Sequence, residues 1–145
     1  MTEPELHRFL QEERIVTVAT MGPRGRPHLM PLWYVADGSV VSAWTYGKSQ
    51  KVRNLERVPH ATLQVEAGRD RYDQLRGVMM ECDVEIVRET SAVEKVGTAL
   101  MRRYAGAPDG EIPDSVRQQA PKRVVLVFRP TRVSSWDHRK LGGRY

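Results

Sequence analysis

A succession of short segments rich in β-branched and aromatic residues, separated by turn residues, constrains the fold of this chain more than any other feature. The Asp37-Gly38 dipeptide in one of these turns is a strong hairpin signal. Pro31 lacks a backbone N–H, so its strand is predicted to lie at a sheet edge or to carry a bulge. Six strands are predicted, at residues 14–21, 28–36, 39–46, 61–67, 77–87 and 122–129, with residues 133–136 extending the last one. Six strands at such short spacing predict a mostly β protein built on an antiparallel barrel with flanking helices.

Three helices are predicted around these strands. Thr2 and Glu5 have the spacing of a capping box, which starts a short amphipathic helix near the N-terminus. A second helix is predicted over residues 49–57. Thr90 is predicted to cap a third helix. The apolar residues of that helix recur at helical spacing, at Val93, Val96, Leu100 and Tyr104. The Pro- and Gly-rich residues 106–113 are predicted to form a surface loop.

The length of 145 residues suits a single domain that spans residues 1–145. Apolar residues make up 40% of the chain and charged residues 28%, which excludes a disordered protein. No apolar stretch is long enough to cross a bilayer, and no membrane partner is expected. The single cysteine cannot form an internal disulfide, so a cytoplasmic protein is expected. The formal net charge of +5 favours an anionic partner of a kind that composition alone does not specify.

Most sequence motifs that carry chemistry are absent. There is no Gly-rich dinucleotide or phosphate loop, no zinc-protease motif and no nucleophile elbow. Cys82 alternates with apolar residues on one face of its predicted strand, so a buried structural thiol is favoured over a catalytic one. The four histidines show no ligand spacing, and no metal site is predicted.

The start of the second predicted helix breaks a local rule. Lys48 and Lys51 flank Ser49, the predicted N-cap, although cations are unfavourable where a helix already presents partial positive charge. An anion held by the free N–H groups, the Ser49 hydroxyl and the two ammonium groups would resolve this conflict. The alternative is a solvated cationic face without a function. Arg24 and Arg26, in an earlier turn, are predicted to extend the same positive surface.

Aromatic residues are predicted to gather beside this helix. Core or interface packing is the common reason for such a cluster, but next to a phosphate site the rings could also wall a flat conjugated group. The predicted corner contains Trp33, Tyr34, Trp44 and Tyr46. A further tryptophan, Trp136, precedes a charged C-terminal run. Such a run is commonly a frayed basic tail, but the tryptophan predicts that this segment packs against something.

Taken in order, several short motifs resemble the pyridoxamine 5′-phosphate oxidase-like split-barrel superfamily. The greatest similarity is to its actinobacterial branch of reductases that depend on coenzyme F420, a deazaflavin. The resemblance covers nearly the whole chain and rests on residues 17–20 (TVAT), 25–28 (GRPH), 48–55 (KSQKVRNL), 75–78 (LRGV) and 135–141 (SWDHRKL). It implies a six-stranded antiparallel split β-barrel (the FMN-binding split barrel) that forms a homodimer and binds two cofactors between its subunits.

The resemblance also implies which residues bind the cofactor. The ring and its ribityl-type chain would lie along His28, Met30, Pro31, Trp44 and Thr45. The phosphate would be held by Ser49, Gln50, Lys51 and Asn54, with Lys48 beside them. Arg76, Gly77 and Trp136 would come from the partner chain. No side chain is identified as a proton donor.

The implied function is that of an oxidoreductase that transfers a hydride from reduced coenzyme F420 to an unsaturated small molecule. Gln50 stands where FMN-binding members often have arginine, which favours the deazaflavin. The sequence ends at Tyr145, without the longer C-terminal segment of true pyridoxamine phosphate oxidases, so oxidation of vitamin B6 is not expected. Two alternatives are an FMN-binding reductase or oxidase and a carrier that binds a flavin or deazaflavin without turnover. Nucleic-acid binding is not expected, because the basic residues follow no recognition motif.

Overall fold

The computed structural model of the protein describes residues 1–142. Within them, seven strands run Val16–Met21 (β1), Pro27–Leu32 (β2), Val35–Asp37 (β3), Val40–Tyr46 (β4), His60–Ala67 (β5), Arg76–Val87 (β6) and Arg123–Asp137 (β7). Four α-helices occupy Glu3–Glu12 (α1), Gln50–Arg57 (α2), Thr90–Ala105 (α3) and Asp114–Gln119 (α4). Short 3₁₀ turns lie at Tyr72–Gln74, Ala120–Lys122 and His138–Leu141.

The described strands form one antiparallel sheet in the order β2-β1-β5-β6-β7-β4-β3, which curls into a half-barrel. The longest ladder joins β6 to β7 and runs from Arg76 opposite Asp137 to Val87 opposite Val125. Its register shifts at Cys82, and this irregularity allows β7 to continue past a proline as a single strand. The predicted mostly β split-barrel fold is confirmed, as is the extension of the last strand over residues 133–136.

One predicted strand, residues 28–36, is in fact two. β2 ends at Leu32 and pairs with β1, whereas β3 begins at Val35 and pairs with β4. Between them, the backbone N–H of Tyr34 donates to Tyr104 Oη at 3.1 Å, and the same hydroxyl donates back to the Tyr34 carbonyl at 2.7 Å. The Tyr104 side chain therefore satisfies the backbone groups of Tyr34 that a strand ladder would otherwise pair. As a result, the described sheet has seven strands instead of the predicted six.

Two local predictions about the strands are confirmed. β3 and β4 are joined by a tight turn after Asp37, in which Gly38 has a φ of 58°. Glycine adopts this left-handed conformation without the steric penalty of a side chain. Pro31 lies in β2, an edge strand of the described sheet, opposite Thr17. Its missing N–H therefore weakens no central ladder.

The helices complete a core that divides into two parts. α1 starts at the predicted capping box: the Glu5 N–H donates to Thr2 Oγ1, and the Thr2 N–H donates to Glu5 Oε2. α1 and α2 close over the larger part, which includes Phe9, Leu55 and Phe128. α3 and α4 cover the smaller part, whose buried members are Trp44, Val93, Leu100, Val116, Ala120 and Val125.

Two predictions about the helices are wrong. Thr90 is the first residue of α3, and Glu89 is its N-cap, without a capping hydrogen bond from its side chain. α4 follows the loop of residues 106–113, where no helix is predicted from the sequence. α4 has only six residues and buries Val116 against α3, so tertiary packing rather than helix propensity explains it.

Candidate functional site

The turn that joins β4 to α2 presents an unsatisfied hydroxyl. The Gly47 N–H donates to the Lys122 carbonyl, and the Ser49 N–H donates to the Tyr46 carbonyl, both at 3.0 Å. Ser49 is the N-cap residue of α2, yet its side chain makes no capping hydrogen bond. Its Oγ is buried and has no hydrogen-bond partner in the part of the chain that the structure describes. Leaving such a group unpaired costs about 1–3 kcal/mol, which a ligand bonded to this hydroxyl would recover.

Lys51, in the first turn of α2, is a buried lysine. Its Nζ donates a 2.9 Å hydrogen bond to Oγ1 of Thr45, which is buried at the end of β4. An ammonium carries three N–H donors, and Thr45 accepts from one of them. Burial lowers the pKa of Lys51 below its usual 10.5, and the positive charge of Arg123 lowers it further. Lys51 therefore has N–H donors available to a ligand. Its positive charge is unfavourable at this buried position unless an anion lies beside it.

Arg123, at the start of β7, supplies the second cation. Its guanidinium lies 4.4 Å from the ring centroid of Trp44 and 4.3 Å from that of Tyr46. It also donates two hydrogen bonds, at 3.0 and 2.7 Å, to Oε1 of Gln119. Aromatic faces and an amide hold the guanidinium without neutralising it. Among the ion pairs of residues 1–142, none joins a carboxylate to Lys51 or to Arg123.

A chain of neutral side chains connects α2 to the first two strands. Nε2 of Gln50 donates to Oδ1 of Asn54 at 2.8 Å, and Nδ2 of Asn54 donates to Oγ1 of Thr20 at 3.0 Å. Thr20 lies opposite His28 in the β1–β2 ladder. Nδ1 of His28 is buried and has no partner among the described residues, so a second predicted site residue carries an unsatisfied polar atom. The structure thus brings β2 and α2 together through β1.

The remaining predicted residues of β2 lie on an open edge. Met30 is opposite Val18, and Pro31 is opposite Thr17. Met30 and its neighbour Leu29 are exposed although both are apolar. In the described sheet β2 pairs on one side only, so its other side presents backbone groups that a ring system or another chain can bind.

A cleft of about 810 Å³ opens at the start of α2. The turn contributes Tyr46, Lys48 and Ser49 to its walls. Three further basic residues reach it from the end of β6 and the start of β7: Arg88, Lys122 and Arg123. Sequence reasoning missed these three, because at least thirty residues separate each of them from α2 in the chain. The basic pair that starts the last predicted strand, Lys122 and Arg123, is a signal that could have indicated two of them.

Residues 2–137 match the family model described as pyridoxamine 5′-phosphate oxidase. The chain belongs to the pyridoxamine 5′-phosphate oxidase family. The matched residues contain all seven strands and four helices of the described chain, and therefore the whole of the candidate site. A search of curated proteins finds no match to the chain.

Solved structures place this family member among proteins of several kinds. The conserved hypothetical protein Rv2991 from Mycobacterium tuberculosis is 41% identical, with coverage of 100% of this chain and 90% of that one and a TM-score of 0.92. An F420 reductase is 28% identical, with coverage of 88% and 94% and a TM-score of 0.69. The haem storage protein HutZ from Vibrio cholerae is 16% identical, with coverage of 93% of each chain and a TM-score of 0.70, which shows a shared fold.

In this family member, Arg24 and Arg26 do not join the cleft, contrary to the predicted continuous positive surface. A guanidinium N–H of Arg57, the last residue of α2, donates to the Met21 carbonyl at the end of β1. The turn that carries both arginines is therefore beside the C-terminal end of α2, whereas Lys48 precedes its N-terminal end. Eight helical residues separate the two ends by about 12 Å.

Three predicted site residues come together far from α2. Gly77 pairs with Trp136, whose Cζ2 would be 2.3 Å from a Cβ at Gly77. The neighbouring Arg76 forms ion pairs with Glu12 at 3.6 Å and Glu13 at 3.4 Å. These residues are at one end of the β6–β7 ladder, and the residues next to the cleft are at its other end. Trp136 packs against Gly77 of its own chain, so the prediction that this segment packs is confirmed. Its contribution to a partner chain's site stays a prediction.

The predicted corner of four aromatic residues is wrong, because they form two groups. Trp33 stacks on Tyr104 of α3 at a centroid distance of 4.6 Å, and Tyr34 is fully buried with its hydroxyl donating to the Leu10 carbonyl. Trp44 and Tyr46 instead flank the guanidinium at the start of β7. The break between β2 and β3 separates the first pair from the β4 strand.

Other candidate chemistry is limited. The predicted burial of Cys82 is confirmed, and burial raises the pKa of its thiol to about 12, which disfavours the reactive thiolate. Over residues 1–142, no three His, Cys, Asp or Glu side chains form a group that could hold a metal ion. No helix in the same range is both long and apolar enough to cross a membrane.

The residues at the start of α2 fit the phosphate of a flavin or deazaflavin cofactor. Among residues 1–142, the Ser49 hydroxyl has no hydrogen-bond partner and no carboxylate neutralises Arg123. Lys51 has N–H donors beyond the one that Thr45 accepts. The first N–H groups of α2 also have no partner within the helix. An anion at this point would receive hydrogen bonds and would relieve the repulsion between the two cations.

Proposed function

We propose that this protein is an oxidoreductase that transfers a hydride from reduced coenzyme F420 to an unsaturated small molecule. The observation that carries the proposal is the pair of unneutralised cations, Lys51 and Arg123, beside the unpartnered Ser49 hydroxyl at the start of α2. The 28% identity to an F420 reductase over 88% of this chain supports the choice of cofactor.

Each residue of the site has its own task in this proposal. Lys51, Ser49 and the first N–H groups of α2 bind the cofactor phosphate, while Thr45 orients the Lys51 ammonium through its hydroxyl. Asn54 bonds α2 to β1 and so fixes the distance between the phosphate and β2. His28, Met30 and Pro31 of β2 lie along the ring. Bound, reduced F420 supplies the hydride, and the protein supplies position and exclusion of water.

A homodimer completes the proposed site. Arg76, Gly77 and Trp136 are at the far end of the β6–β7 ladder, so a second chain is the natural way to bring them to the cofactor. Exposed apolar residues on or beside the β1–β2 edge are available to such a contact: Ile15, Met21, Leu29, Met30 and Trp33. We place the protein in the cytoplasm, because its free cysteine is typical of reducing compartments.

A second candidate function is that of an FMN-binding reductase or oxidase. Ser49 and Lys51 suffice for one phosphate, and FMN carries a single one. Gln50 argues against FMN. FMN-binding members of the superfamily often have arginine at this position, whereas the Gln50 amide is uncharged and donates its hydrogen bond to Asn54. Binding without turnover is a third candidate, since the haem storage protein HutZ shares the fold.

Titration with both cofactors tests the proposal. We expect the protein to quench the fluorescence of F420 on binding and to bind it more tightly than FMN. Reduced F420 should then be oxidised in the presence of conjugated ketones or other activated alkenes. Tighter binding of FMN would favour the second candidate, and binding of F420 without turnover on any such substrate would favour the carrier. Binding of neither cofactor would overturn the proposed function.

The dependence on salt separates the two cofactors further. F420 carries a phosphodiester and a glutamate tail, so it makes more charge contacts than FMN. Exposed contacts are screened once the Debye length falls to about 8 Å near physiological ionic strength. We therefore expect the affinity for F420 to fall more steeply with salt than the affinity for FMN. Equal slopes would indicate a site that recognises one phosphate only.

A further inference from the structure

We propose that the cleft beside α2 contains a second anion subsite, formed by Arg88 and Lys122, which binds a further anionic group of the same ligand. This inference rests on the proposed function, because the first subsite at Ser49 and Lys51 is the place where that function puts the cofactor phosphate. The ligand class is a cofactor that carries carboxylates or phosphates beyond its first phosphate.

The cleft has the charge that such a group requires. No aspartate or glutamate of residues 1–142 lines it. Four basic residues do so: Lys48, Arg88, Lys122 and Arg123. Its volume of about 810 Å³ exceeds what one phosphate needs. Like charges that line one cleft repel each other, so a bound polyanion is the partner that this arrangement favours.

The two subsites are continuous through Arg123. Its guanidinium is fixed between Trp44 and Tyr46, and its charge acts on Lys51 in the first subsite. Lys122 precedes it in the chain and lines the same cleft. A ligand whose first phosphate bonds to the unpartnered Ser49 hydroxyl therefore lies in the cleft that Arg123 and Lys122 also line.

One intramolecular contact competes with the subsite. The Arg88 guanidinium is 3.4 Å from a carboxylate oxygen of Glu56, and both side chains are about half exposed. Exposed ion pairs of this kind contribute little to stability, so Arg88 can turn to a ligand at small cost. Removing the carboxylate should leave Arg88 free for the ligand.

Inorganic anions test the subsite without either cofactor. Calorimetric titrations with phosphate and with tripolyphosphate compare the wild type with the double variant R88Q/K122Q. We expect the wild type to bind tripolyphosphate about tenfold more tightly than phosphate, since each further charge contact adds a few-fold at exposed positions. In R88Q/K122Q the preference should fall to about threefold or less, with the affinity for phosphate retained. E56Q should strengthen the binding of tripolyphosphate.

A matched control is the double variant R24Q/R26Q, which removes the same charge from the other end of α2. It should retain the preference for tripolyphosphate. An equal loss in both double variants would mean diffuse surface charge and would overturn the subsite, as would a wild type without the preference. Titration with F420 adds a third arm, in which R88Q/K122Q should lose more affinity for F420 than for FMN. A wild type that prefers tripolyphosphate but binds neither cofactor would overturn the proposed function and support the subsite.

Discussion

Lys51 and Thr45 are joined by a 2.9 Å hydrogen bond from Nζ to Oγ1, and both residues are buried, with 7% and 4% of their surface exposed. Lys48, three residues earlier, is exposed as surface lysines usually are. Folding thus removes the Lys51 ammonium from water at the start of a helix, where a positive charge is least favourable. Local departures of this kind are expected at functional sites, where a ligand compensates for them.

Replacement of Lys51 should separate binding from stability. We expect Lys51→Met to weaken the binding of F420 or FMN by about 1.5–3 kcal/mol, the range for hydrogen bonds to charged groups. The melting temperature should change little, because removal of a buried charge at similar side-chain volume offsets the lost hydrogen bond to the buried Thr45 hydroxyl. Fluorescence titration and thermal unfolding measure the two effects. The control is Lys95→Met, on the exposed face of α3. Equal affinities in wild type and Lys51→Met would mean that the basic residues at the start of α2 are a solvated face that binds no cofactor.

The same lysine should give stability a particular pH dependence. Its pKa in the folded chain lies below 10.5, the value of an ordinary lysine. Between the two values the unfolded chain binds more protons than the folded one, so the free energy of unfolding rises with pH across this window. Relative to Lys51→Met, the wild type should therefore gain stability as pH is raised from neutral towards 10.5. Urea unfolding at constant ionic strength measures the difference, and a flat profile would contradict the assignment.

Ser49→Ala should affect ligand binding and leave stability intact. Loss of an N-cap serine or threonine usually costs about 1 kcal/mol, because a capping hydrogen bond is lost. Ser49 makes no such bond, and its Oγ has no partner. We expect unchanged or slightly higher stability, together with weaker binding of FMN and of F420. The control is Thr2→Ala, which removes a capping box and should lower stability. A stability loss in Ser49→Ala equal to that of the control would show that its hydroxyl is satisfied in the protein.

Gly77→Ala should be strongly destabilising. A Cβ at this position would be 2.3 Å from Cζ2 of Trp136 and 2.8 Å from the Val65 carbonyl oxygen. Overpacking of this kind costs about 1–3 kcal/mol, and here one obstacle is backbone. Denaturant unfolding should show the loss. Gly47→Ala is the control, because its Cβ would be at an ordinary contact distance of 3.4 Å from Val124 Cγ1. Similar midpoints for Gly77→Ala and the wild type would contradict the packing described here.

Assembly can be tested at the β2 edge. Leu29 is 59% exposed on this strand although it is apolar. We expect light scattering to show a homodimer at micromolar concentration, and Leu29→Lys to shift it to monomer and weaken cofactor binding, because a charge on the contact must be desolvated. Gln118→Lys adds the same charge on the exposed side of α4 and should leave the dimer intact. A wild-type monomer that binds the cofactor with full affinity would rule out the two-chain site.

Several features of this protein follow from the sequence alone, because their causes are local. The capping box at Thr2, the turn at Gly38 and the edge position of Pro31 each depend on the chemistry of neighbouring residues. The same is true of Lys51: the conflict between its charge and the helix N-terminus is visible within four residues of sequence. Alternation of apolar residues is equally local and indicates the strands of the sheet.

The tertiary structure decided what depends on residues distant in the chain. Tyr104 divides one predicted strand into β2 and β3 because its hydroxyl satisfies the backbone of Tyr34, seventy residues earlier. Arg123 joins the site of Lys51 because β7 pairs with β4, and no local pattern specifies that pairing. Side-chain type and spacing predict an anion site at the start of α2, with a solvated cationic face as the alternative. Which cations surround this position is determined by the folded sheet, because strand order brings together charges that the sequence keeps apart.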